Sequence, residues 1–127
     1  MGKSNQVLVL LTIANFLLNC FMQLYAPIFV DFAYQKRQLH EVMIGFLTAC
    51  FPLSMMCFSF SVSKVNSWLG KRTSILLSLS LAFCAAFLYG IVYFVEHTLT
   101  FIALSILGRL VHGLEDVLFE VMAIHYL

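Results

Sequence analysis

Three long stretches of this chain carry no formal charge, and they decide what it can fold into. Twenty-seven residues separate Lys3 from Asp31, 22 separate Glu41 from Lys64, and 23 separate Arg72 from Glu96. A helix of about 20 apolar residues crosses a hydrocarbon core of roughly 30 Å, so each stretch is long enough. Water is absent at that depth, which leaves only helices or a closed barrel to satisfy backbone N–H and C=O groups. Barrel strands alternate polar and apolar residues over about ten positions, and these stretches do not alternate. The expected fold is therefore all-α, and the expected solvent is lipid.

Composition agrees and excludes several functions. Of 127 residues, 62% are hydrophobic and 10% charged, whereas a water-soluble domain uses about 25% charged residues. Seven Lys/Arg against six Asp/Glu leave a net charge of +1, which offers no field for a nucleic acid. Cys20, Cys50, Cys57 and Cys84 all fall inside the expected spans and read as packing residues, not as a disulfide framework. No H-E-x-x-H, C-x-x-C, G-x-S-x-G or P-loop pattern occurs, and His40, His97, His112 and His125 are scattered. No catalytic constellation, metal site or cofactor is expected, and the chain does not read as an enzyme.

A fourth segment has mixed character. Only 12 residues separate Glu96 from Arg109, yet apolar residues resume beyond Arg109 and continue to Leu127. Its first turns are apolar all round, which places it in lipid with ionisable groups buried inside it. Four transmembrane helices are thus predicted in one membrane domain over 1–127, at about 6–30, 42–63, 73–95 and 99–126. Pro27 is expected to loosen or end the outer part of the first. Lys3, Lys64, Lys71 and Arg72 fall on one side, Lys36 and Arg37 on the other. That bias puts the N-terminus and the 64–72 loop in the cytoplasm.

The last helix holds the strongest chemical signal. At about 100° per residue, Arg109, Gly113, Asp116 and Glu120 share one face within about 40°, with Ser105 and His112 at its edges. Ionisable groups at membrane depth cost about 2.5–3.5 kcal/mol each on the most lenient scale, so they normally face a cavity or a partner. Arg109, His112, Asp116 and Glu120 are therefore candidates for handling solute or protons. Glu115 points about 120° away and reads as an interfacial residue. In the first helix Asn15, Asn19 and Gln23 recur every four residues, either joining helices or lining a solvated cavity. The third helix reads as scaffold, its Ser74, Ser78, Ala82, Ala86 and Gly90 forming a small-residue groove at i+4 spacing.

With these patterns in place the chain resembles the first four helices of a major facilitator superfamily (MFS) transporter, most closely the vesicular amine and polyamine branch. The residues that carry the resemblance are Tyr25-Ala26-Pro27-Ile28-Phe29, Gly45, the turn Leu69-Gly70-Lys71-Arg72, Phe101-Ile102-Ala103-Leu104-Ser105, and Arg109-Leu110-Val111-His112-Gly113 as an R-x-x-x-G. The turn departs from the family pattern, with Ser63, Ser67 and Trp68 where Gly, Asp and a basic residue are expected. Only Gly70, Lys71 and Arg72 of that cytoplasmic motif remain.

The resemblance implies that the first and fourth helices line a central cavity. Arg109 would then be a charge-pairing or coupling group, Gly113 would permit close helix contact, and Asn15, Asn19 and Gln23 would meet solute or water. Together with the stripe it suggests secondary transport of a small organic cation or similar solute coupled to protons, with Arg109 matched by the family motif and Asp116 and Glu120 resting on the stripe alone. Such transporters use two six-helix halves, so four helices are an incomplete N-terminal half and are not expected to transport alone. The missing half, a second copy or another membrane subunit would be the partner. A dimeric four-helix exporter and a purely structural membrane subunit are the alternatives.

Overall fold

The computed structural model describes residues 3–126, with side chains described except for Lys3, Ser4, Leu8, His125 and Tyr126. Met1, Gly2 and Leu127 lie outside it. Three helical elements follow one another: α1 (Lys3–Gln35), α2 (Glu41–Val92) and α3 (Thr98–Tyr126). No strand occurs among the described residues. Two of the helices, over Asn5–Gln35 and Glu41–Val92, are long and apolar enough to cross a membrane.

α2 is not one rod. An unbroken helix of its length would hold Ile44 about 72 Å from Val92, yet both belong to one hydrophobic core. The chain reverses at Gly70, whose φ of 75° and ψ of 161° lie outside the helical region. A residue bearing a Cβ is strained there, and glycine is not. The expected connection over 64–72 thus shrinks to one residue, with helix on both sides. Charge alone does not stop a helix, because Lys and Arg are good helix formers. The two limbs, 41–69 and 71–92, overlap the segments expected at 42–63 and 73–95, and the second ends three residues early, at Val92.

α1 also outlasts its predicted end. It continues through Pro27 to Gln35, since the ring removes one N–H and leaves the buried Tyr25, Phe29 and Ala33 face in register. At Gln38 the backbone turns through the left-handed region, with φ of 50°. His40 then caps α2, its Nδ1 accepting a hydrogen bond from the backbone N–H of Val42 at 3.3 Å.

The chain therefore runs up, down, up and down. The turns at 36–40 and 93–97 share one end, and Gly70 lies at the other. Arg37 locks the first end by donating to the carbonyl oxygens of Val95 and Glu96. One core beside this end joins Tyr25, Phe29 and Ala33 of α1, Ile44 and Leu47, Ala85, Tyr89 and Val92, and Phe101 of α3. A second core, around Val62, Val117 and Leu118, contains no α1 residue. No described side chain of α1 before Tyr25 is buried.

Candidate functional site

α3 approaches the first limb of α2 at Gly113. A Cβ there would sit 2.5 Å from Ser54 Oγ, 2.6 Å from Ser54 Cβ and 3.0 Å from the carbonyl oxygen of Phe51. Ser54 is buried, and its hydroxyl donates to the carbonyl of Leu110 at 2.8 Å. On the opposite side of α3 the buried Ser78 donates to the carbonyl of Glu115 at 3.5 Å. α3 is thus held between both limbs, and its register fixes where Arg109, His112 and Asp116 point.

They point at α1. A cavity of about 290 Å³ is lined by Arg109, His112 and Asp116 of α3, Asn19 and Gln23 of α1, and Thr48 of α2, with Met22, Ala26, Phe51 and Pro52 between them. Thr48 donates to its own helix at the carbonyl of Ile44. Asn19 donates through Nδ2 to the backbone oxygen and to Oδ1 of Asn15, at 3.0 and 2.8 Å. Asn15 therefore orients Asn19 from one turn back and does not line the cavity itself. Glu120 is exposed and lies outside the lining.

Arg109 is 5% exposed, and aromatic faces surround its guanidinium. Its Cζ lies 5.6 Å from the ring centre of Tyr25, 5.2 Å from Phe29 and 5.6 Å from Tyr89. Such contacts contribute about 2 kcal/mol or more apiece when water is excluded, which partly offsets the burial of the charge. Nε and Nη2 are enclosed with no hydrogen-bond partner among the described residues.

Tyr89 is the element that reading the sequence did not single out. It is 1% exposed, its ring stacks on Tyr25 at 4.4 Å, and its hydroxyl lies 3.4 Å from His112 Nδ1. His112 in turn stacks on Phe51, with centroids 4.4 Å apart. One tyrosine thereby contacts the aromatic face of α1, the cation of α3 and the imidazole beside it. A tyrosine inside an apolar helix is itself a signal, because its hydroxyl needs a partner when buried.

The small-residue groove is used in part. Ser74, Ser78 and Ala82 are buried, Ala86 is half-buried and Gly90 is exposed. Nothing lies within 4 Å of where a Cβ would stand on Gly90. Strict i+4 rows drift by about 40° per step, so Ala85 and Tyr89 take over the contact. Gly90 instead borders an apolar pocket of about 350 Å³ shared with Tyr25, Tyr89 and Tyr93. Glu115, placed at the interface by its direction alone, is 4% exposed and borders a small gap that it shares with Ala82 and Ala85 of the second limb, with His112, and with Phe21 and Met22 of α1. The direction 120° from the cavity is where the second limb packs.

Gly70, Lys71 and Arg72 occupy the tip of the α2 hairpin, apart from the cavity. No known protein family, curated protein or solved structure matches this chain.

Proposed function

We propose that the chain is a membrane-embedded part of a secondary transporter of MFS type, binding a small solute between α1 and α3. The observation that carries this reading is the cavity itself. Polar and charged side chains from two helices far apart in sequence converge on one space, and they are the amides and ionisable groups with no reason to be in lipid otherwise. In this reading α1, the two limbs of α2 and α3 each cross the bilayer. Further helices, a second copy or another membrane subunit supply the opposite wall of the path.

Two surface features support a bilayer setting. Apolar side chains such as Phe16, Leu24, Phe60 and Phe83 are more than half exposed, at 66%, 68%, 86% and 77%. Trp68, 89% exposed, lies between Lys64 and Lys71-Arg72 in the sequence near the hairpin tip, the mix of aromatic and basic residues found at a cytoplasmic headgroup layer.

The test is uptake of a pooled panel of amines, amino acids and organic acids into vesicles of cells expressing the full protein, read by mass spectrometry. Transport with Arg109 in a functional role predicts that Arg109→Gln abolishes uptake at unchanged expression. Loss of expression in that variant, with no uptake by the wild type, would overturn the reading in favour of a structural membrane subunit.

A further inference from the structure

Arg109 and Asp116 both border the cavity, and neither has an ion-pair partner among the described residues. Arg109 touches three ring faces and makes no hydrogen bond or ion pair among the described residues. Ring faces attract a cation but do not replace the charge-assisted hydrogen bond that a carboxylate makes to a guanidinium. Asp116 borders the same cavity, also without an ion-pair partner among the described residues. Seven residues of α-helix separate the two by about 10 Å along the axis and about 20° around it. The groups therefore look into one space from one face, too far apart to neutralise each other.

A buried, uncompensated charge is costly, and the missing counter-ion is the group the site is built to receive. A lone amine would answer Asp116 and leave Arg109 unpaired; a lone carboxylate would do the reverse. On the basis of the transport reading above, we infer that the solute is a small zwitterion of amino-acid size. Its carboxylate is held at Nη1 of Arg109, since Nε and Nη2 are enclosed, and its ammonium by Asp116, with the amides of Asn19 and Gln23 closing the site from α1. A space of about 290 Å³ is at the small end for ligand pockets and suits such a solute.

Titration calorimetry on the full chain in lipid nanodiscs tests this, with 4-aminobutanoate and 6-aminohexanoate compared against butylamine and butanoate. The expected result is that at least one zwitterion binds about tenfold or more tightly than either singly charged analogue. Arg109→Gln reduces its affinity to that of butylamine, and Asp116→Asn reduces it to that of butanoate. Circular dichroism and a monodisperse elution profile establish that each variant is folded. Should Arg109→Gln fail there, Arg109→Lys keeps the charge, moves the donor and shows a smaller loss in the same direction. An amine or acid that binds as tightly as the zwitterions overturns the inference while leaving the transport reading standing. Absence of binding by folded wild-type protein also overturns it, and the uptake experiment then decides the transport reading separately.

Discussion

The rings of Phe29 and Phe101 lie parallel, 5.8 Å between centroids and 2° between planes. Each also faces an arginine: Arg109 is 5.2 Å from the ring centre of Phe29, and Arg37 is 5.3 Å from that of Phe101. The stack therefore joins the cation at the cavity to the cation that ties the turns at 36–40 and 93–97. Both rings are wholly buried, so removing one leaves a void that its neighbours fill only in part. Phe101→Ala is expected to cost about 3–5 kcal/mol and Phe101→Leu clearly less. Thermal unfolding of the detergent-purified protein measures both; equal midpoints for the two variants would show that the stack contributes little.

Gly113 predicts a steric cost with a specific remedy. A methyl group would strike Ser54 and press on the carbonyl of Phe51, so Gly113→Ala forces α3 away from the first limb at about 1–3 kcal/mol. Ser54→Gly removes the nearest obstacle, and the double variant should recover part of the loss. A double-mutant cycle in denaturant reads the coupling; strict additivity would mean that the two residues do not meet.

At Gly70 the penalty comes from the backbone, since no atom lies within 4 Å of the absent Cβ. Gly70→Ala should destabilise by about 1–3 kcal/mol through its φ of 75°. Gly45 has the same free space but lies inside a helix, and Gly45→Ala should be neutral or stabilising by up to about 1 kcal/mol. The two substitutions moving stability in opposite directions is the outcome to look for in one set of melts.

Arg37 acts as a clasp. Losing its bonds to the carbonyls of Val95 and Glu96 should cost about 1–2 kcal/mol at a partly exposed site. That loss should appear locally, as faster amide hydrogen exchange over 93–97 in Arg37→Ala with 110–120 unchanged. Uniformly faster exchange along the chain would show a global role instead.

Much of the polar lining of the cavity is legible in the sequence. Arg109, His112, Asp116, Asn19 and Gln23 were each marked by polarity inside an apolar helix, and all five border the same cavity. A helical wheel reports direction around one axis, however, and says nothing about what stands in that direction. That is why Glu115 read as interfacial although the second limb covers it, and why Gly90 read as a contact although the i+4 row has turned away by then. Tyr89 went unmarked for a related reason: its role comes from Tyr25, Arg109 and His112, which reach it from two other elements. The helical boundaries show the same limit. Basic residues at 64–72 interrupt the apolar pattern, but only the backbone of Gly70 shows where the chain turns.

The Arg37 clasp has a mechanical consequence for α1. That helix is held by buried side chains from Tyr25 onward and by the clasp just beyond its end, while nothing before Tyr25 is buried among its described side chains. It is a lever whose fulcrum is Tyr25, where burial begins. Asn5 lies about 30 Å from Tyr25 along the axis, Asn19 about 9 Å and Gln23 about 3 Å. A tilt of about 10° there would carry Asn5 through about 5 Å and Asn19 through about 1.6 Å, while Gln23 moves by about 0.5 Å. The free half of the helix can swing while Gln23 keeps its distance from Arg109.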